Sequence, residues 1–180
     1  SLEDRKKAEA LKEGLRKLTP QKLAELRDQL RLVESVNATN KRKLFARTDP
    51  TTFGTEVLKL VPNKVQVEFG LNWYTEDQKI LFDAVSSHRR VLALSGNGVG
   101  KSYSAAIISL WLFNKGYTVL TTAPTMAQVT DILWAEMRGM RSNAMKGVGG
   151  SWQPKANRAE FGPLHFMQGF TVQTDLISSV

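Results

Sequence analysis

Eight consecutive residues constrain this chain more than any others: Ser95, Gly96, Asn97, Gly98, Val99, Gly100, Lys101 and Ser102. A short apolar run (RVLAL, residues 90–94) precedes them, and a long apolar stretch (residues 102–115) follows. Glycines allow backbone angles that other residues avoid, so several N–H groups can turn toward one anion. A helix starting near Lys101 adds the positive end of its dipole at the same point. The pattern G-x-x-x-x-G-K-[ST] between a strand and a helix is the phosphate-binding P-loop. Gly100, Lys101 and Ser102 fit it, while Ser95 stands where the first glycine is usual. On this reading Ser95–Gly100 cradle the phosphates, the Lys101 ammonium reaches the β- and γ-phosphates of ATP, and the Ser102 hydroxyl takes Mg²⁺. The bland reading, a glycine-rich turn that happens to end in Lys-Ser, leaves the flanking strand and helix without a purpose.

The rest of the chain fits an α/β frame around that loop. Residues 75–85 predict a helix, with Thr75 as N-cap, Glu76 and Asp77 at its positive end, and Ile80, Leu81 and Val85 facing inward. Residues 90–94 read as a buried parallel strand. Residues 102–115 read as a helix stopped by Gly116. Residues 117–122 follow as a second buried strand, and residues 126–140 as an amphipathic helix. Residues 142–163, rich in Gly, Asn and Pro, are expected to form a loop, and residues 164–173 short strands turned by Gly169. Upstream, residues 65–69 offer a strand. Residues 37–50 read as a linker or loose helix end. The expected fold is a P-loop NTPase of RecA-like type, a parallel sheet flanked by helices, in its N-terminal part only (residues 49–180).

Residues 1–48 predict a separate helical hairpin. Ala8, Leu11, Leu15 and Leu18 repeat at helical spacing, as do Leu23, Leu26, Leu30 and Val33. Thr19-Pro20 separates the two as N-cap and first helical residue. This segment carries most of the chain's basic excess. It holds 13 Lys and Arg against 7 Asp and Glu, compared with 12 and 10 in residues 49–180. The overall net charge of +8 suits a polyanionic partner, most simply nucleic acid. Whether the hairpin merely packs, docks a partner or contacts DNA is open at this level.

Other classes are narrowed by what the composition lacks. The chain has no cysteine and 2 histidines, His88 and His165, which excludes disulfides and thiolate metal sites and leaves both histidines structural. No apolar run reaches the length of a membrane span, and the charged N-terminus is unlike a signal peptide, so a cytoplasm-like compartment is expected.

Two segments flank the P-loop. Upstream, Trp73-Tyr74-Thr75-Glu76-Asp77-Gln78 offers an aromatic and an amide. A glutamine can bond both edges of adenine and an aromatic can stack on it, or the pair is simply core aromatics and a surface residue before a helix. Downstream, residues 121–128 (TTAPTMAQ) read equally as a strand-to-helix turn with Thr125 as N-cap. In this order the three segments, residues 72–140, resemble the large subunit of tailed-bacteriophage DNA-packaging terminases. The NGVGKS loop and the Trp134-Ala-Glu-Met137 helix carry that resemblance, and the flanking segments are also akin to superfamily 2 helicases. The resemblance implies Gln78 and Trp73 on the adenine side, Thr125 and Gln128 in a coupling segment, and Arg138 or Arg141 as an arginine finger. For both arginines, a cation at a helix C-terminus is also favourable on structural grounds alone. It further implies double-stranded DNA, a terminase small subunit and a capsid portal as partners, a homo-oligomeric ring, and an infected host cell.

An ATPase also needs a carboxylate on Mg²⁺ and a glutamate that positions the attacking water. The resembled family has an Asp-Glu pair for this, ending an apolar strand. No Asp-Glu pair follows the P-loop here. The expectation is an N-terminal fragment that binds nucleotide without turning it over, and that lacks a nuclease domain. The competing functions are a superfamily 2 DNA translocase, a non-catalytic docking module built on residues 1–48, and, less suited to the basic charge, a small-molecule kinase.

Overall fold

The computed structural model describes residues 9, 19–30, 33, 45, 48–145 and 148–171. Two compact units divide the chain, residues 1–41 and 42–180. In the first, residues 20–30 are helical, with Thr19 at the cap position and Leu23 N–H donating to its carbonyl at 3.0 Å. Leu26, Leu30 and Val33 of the expected stripe are exposed. The other half of the expected hairpin lies outside the described residues.

The second unit begins earlier than the change of composition suggests. Phe45, Thr48 and Pro50 are buried, so the end of the expected linker belongs to the core. Helix α1 (Pro50–Thr52) continues into a π-helical turn, Phe53–Val57. Asp49 caps it, accepting N–H bonds from Thr51 and Thr52 at 2.8 and 3.0 Å and the Thr52 hydroxyl at 2.7 Å. Burial pushes the Asp49 carboxyl up, but those bonds to Thr52 and Thr51 outweigh it and hold its pKa below the usual 3.8. A depressed folded-state pKa gives stability that is complete above the unfolded value and lost as pH falls through the folded one. Asp49→Ala is therefore expected to cost about 1 kcal/mol near neutral pH, with the gap to the parent closing below about pH 4. Urea unfolding of both proteins at neutral and acidic pH checks this. A gap that stays constant on acidification would count against the cap.

Helix α2 (Lys64–Glu68) stands where residues 65–69 suggested a strand. Asn63 and Gln66 form a reciprocal capping box (2.9 and 2.8 Å), and this local signal overrides the β-branched valines. Helix α3 (Glu76–Ser87) starts as expected, on a capping box between Thr75 and Gln78. Its buried face differs. Phe82 is fully buried and Ile80 is 60% exposed, because the inward stripe runs through Gln78 and Phe82, one turn apart.

Helix α4 (Lys101–Asn114) is the central element. Ile107, Leu110, Trp111 and Phe113 are buried, and Trp111 Nε1 donates to the Thr48 carbonyl at 2.7 Å. Gly116, at φ +106°, ends it as expected. A four-stranded sheet follows in the order β1 (Val119–Thr122), β4 (His165–Phe170), β3 (Arg158–Gly162), β2 (Ser151–Gln153). Only β1 and β4 run parallel; β4–β3 and β3–β2 are antiparallel. This corrects the all-parallel sheet, since the short connections between β2, β3 and β4 suit only antiparallel neighbours. It also corrects the loop expected over residues 142–163, which contains β2 and β3. Gly169 is no turn but an interior residue of β4. A Cβ there would lie 2.4 Å from Trp134 Nε1.

Strand β1 is half-buried rather than buried: Val119 and Thr121 face the core while Leu120 is exposed. Residues 90–94 form no strand among the described residues, and Leu92 and Leu94 are 84% and 88% exposed. An apolar run needs a neighbouring strand to become β-structure, and the sheet lies elsewhere. The amphipathic helix at 126–140 is present as a π-helical segment, Gln128–Leu133, running into α5 (Trp134–Asn143). Trp134, Met137 and Met140 face the core. No helix among the described residues is long and apolar enough to cross a membrane.

Candidate phosphate-binding site

The loop 95–100 joins the irregular segment after α3 to the first turn of α4. Its backbone takes the conformations the glycines were expected to supply. Gly98 and Gly100 have φ of +80° and +81°. At Gly100 the left-handed backbone strains any other residue, and a Cβ would come within 2.6 Å of Gln78 Nε2, so the glutamine end would have to shift. Residues 95–99 are exposed, so the loop faces solvent.

The start of α4 differs from those of α1, α2 and α3. Asp49, Asn63 and Thr75 each cap their helix with a side chain, whereas Gly100 caps α4 without one. The first-turn N–H groups of a 14-residue helix thus have no side-chain acceptor from the cap. That arrangement suits an anion, which would take those donors and meet the positive helix end. The Lys101 ammonium folds back across the loop and donates to the Gly96 carbonyl. Its charge is exposed and near the same backbone groups. Ser102 is half-buried on the same turn.

Mg²⁺ fits this site in one respect. Ser102 supplies a hard oxygen of the kind the ion takes. Among the described residues, no group of three or more His, Asp or Glu side chains gathers to hold a metal by itself. Asp131 and Glu136 lie in the helical segments after β1. Glu160 pairs with Arg158 at 3.0 Å, and Asp175 lies outside the described residues.

The flanking residues come together in part. Gln78 is 8% exposed, and its Oε1 accepts the Thr75 N–H at 2.9 Å. Its Nε2 lies against Gly100, so Gln78 packs behind the glycine-rich loop. Trp73 is buried: Nε1 donates to Thr55 at 2.9 Å, and its ring contacts those of Tyr74, Phe82 and Tyr103. Packed in this way it is core and presents no open face to a base. Burial raises the pKa of Tyr103, with Glu136 adding to the effect, so its hydroxyl stays protonated. Thr125 and Gln128 form another reciprocal box, both bonds 3.2 Å, as a helix start requires. Arg138 donates to the Thr130 carbonyl at 3.0 Å. Arg141 donates to the carbonyls of Val148 and Gly150, at 3.2 Å each, and lies over the Trp152 ring. Both guanidinium groups bond backbone carbonyls of their own unit, and only Arg141 lies in the last turn of α5, where the helix C-terminus favours a cation. His88 bonds the Ala84 carbonyl, and His165 bonds that of Phe113 at 2.7 Å between aromatic rings.

One neighbour was missed in the sequence. Tyr74 is half-buried and walls a surface cavity before α3. Its one signal in the sequence is its place beside Trp73. No protein-family profile, curated protein or solved structure matches the chain.

Proposed function

We propose that this chain is the nucleotide-binding part of an ATP-driven motor that moves double-stranded DNA, of the terminase large-subunit kind. The observation that carries the nucleotide reading is the start of α4: a left-handed glycine cap with no side-chain acceptor, at the end of a glycine-rich loop, beside an exposed lysine. The N–H groups of that turn would bind the β-phosphate and Lys101 would neutralise the transferred phosphate. Mg²⁺, for which the Ser102 hydroxyl would be one ligand, would neutralise negative charge on the phosphates. The DNA reading rests on the basic excess of residues 1–48 and on the resemblance of residues 72–140. A motor that must move any sequence would grip phosphates rather than base edges. A homo-oligomeric ring, a small subunit and a portal belong to the same proposal.

No Asp-Glu pair follows the P-loop in this sequence, so the pair with which the resembled family holds Mg²⁺ and activates the attacking water is missing from residues 103–180. Steady-state phosphate release from Mg-ATP, with and without duplex DNA, is expected to stay at background while nucleotide binds. Ordinary turnover that disappears in Lys101→Ala would overturn this half of the proposal.

A further inference from the structure

The chain has a single Asn-Gly dipeptide, Asn97-Gly98, and it falls in the middle of the Ser95–Gly100 loop. Asparagine is chemically labile because its side-chain amide can be attacked by the backbone nitrogen of the next residue. A side chain on that next residue shields the nitrogen and stiffens the backbone; glycine does neither.

The structure leaves this pair unprotected. Both residues are exposed. Gly98 has φ +80°, and nothing lies within 4 Å of the point where its Cβ would be. Among the described residues, neither the Asn97 side chain nor the Gly98 N–H has a hydrogen-bond partner. Other asparagines are held in place. Asn114 is buried in α4, donating to the Leu110 carbonyl at 2.7 Å and accepting from the Gly149 N–H at 3.2 Å. Asn157 is buried and donates to the Thr130 hydroxyl at 2.7 Å. Asn63 accepts from the Gln66 N–H at 2.9 Å as the cap of α2.

The chemistry needs only water. The Gly98 nitrogen bonds to the Asn97 side-chain carbonyl carbon, and the side-chain nitrogen leaves as ammonia, taking the Gly98 amide proton with it. Water then opens the resulting succinimide, releasing a carboxylate and a proton. Opening at the side-chain carbonyl gives aspartate, and opening at the main-chain carbonyl gives isoaspartate, which lengthens the backbone. Either product places a negative charge one residue from the Gly96 carbonyl, to which the Lys101 ammonium donates. The lysine gains a competing partner, and an incoming phosphate meets a like charge among the N–H groups it needs.

We infer that Asn97 is a site of self-deamidation through Gly98 and, on the reading of Ser95–Ser102 as a phosphate site, that the carboxylate it leaves closes the loop to anions.

The test incubates the whole chain at physiological temperature and mildly alkaline pH, then digests it with trypsin for mass spectrometry. Asn97 falls in the tryptic peptide 91–101. That peptide is expected to show the mass of an amide turned to an acid, partly as isoaspartate, before any other asparagine converts. Mg-ATP and magnesium tripolyphosphate, titrated by calorimetry, should both bind the converted protein at least about tenfold more weakly than the fresh protein. Asn97→Asp carries the charge without the longer backbone and should start at that weakened level. Asn97→Gln, whose longer side chain closes the ring far more slowly, should keep its own starting affinity through the same incubation. An Asn97 that stays an amide, or converts no sooner than the other asparagines, overturns the modification. Converted protein and Asn97→Asp that bind both ligands as tightly as the fresh parent overturn the closing of the loop and leave the modification standing. If the fresh protein binds neither ligand, the phosphate reading has failed and the closing of the loop with it, while the peptide masses still decide the modification.

Discussion

Replacing Trp134 by alanine is expected to remove about 3–5 kcal/mol of folding stability. Trp134 is fully buried at the start of α5. Its Nε1 donates to the Thr121 hydroxyl on β1 at 3.0 Å, and its ring meets that of Trp152 with centroids 5.3 Å apart. Gly169 on β4 is shaped around it. One side chain therefore joins α5 to both strands of the parallel pair and to the β2 end of the sheet. Its loss leaves a cavity that β4 cannot fill, because the residue facing it is a glycine. A typical domain has about 5–15 kcal/mol in total, so much of the fold's margin would go. Trp134→Phe should cost less, since most of the volume stays and the main loss is the bond to Thr121. Urea unfolding followed by far-ultraviolet circular dichroism measures both. An alanine variant within about 1 kcal/mol of the parent would show that this packing is not what holds the helix to the sheet.

Trp134 also shows what the sequence did and did not disclose. Its helix was legible from the 3.6-residue apolar period across residues 126–140, and its role in joining the sheet was not. The partners are Thr121, Trp152 and Gly169, and Gly169 read as a turn because a glycine in isolation cannot say whether it bends the chain or makes room for a tryptophan. Strands β2 and β3 were missed because SWQ and RAEFG are short and polar, with no alternation that marks a half-buried strand. The run at residues 90–94 misled in the opposite direction. Its residues suit a buried strand, but strand formation requires a neighbour to bond with. Local signals fared better. The start of α3 at Thr75 and the end of α4 at Gly116 were readable because caps and glycine stops are decided within a few residues.

The site followed the same division. The backbone of the glycine-rich loop was legible, since Gly98 and Gly100 adopt positive φ and α4 begins at Lys101. Side-chain roles that depend on tertiary placement were not. Trp73 is core, Gln78 spends its oxygen on a helix cap, and both arginines bind carbonyls of their own unit.

The second large effect is expected at Lys101. Its ammonium is exposed and contacts the Gly96 carbonyl, so its removal should barely change stability. A bound triphosphate, in contrast, would lose a charge-assisted contact of about 1.5–3 kcal/mol, which is roughly 10- to 100-fold in affinity. The N–H groups at the start of α4 would remain, so binding would be weakened rather than abolished.

That contrast gives the most direct test of the phosphate site. Mg-ATP is titrated by calorimetry into the parent and into Lys101→Ala, with urea unfolding confirming that both are equally folded. The account predicts saturable binding to the parent and at least about tenfold weaker binding to the variant at equal stability. No binding to the parent, or equal affinity in both proteins, would contradict it.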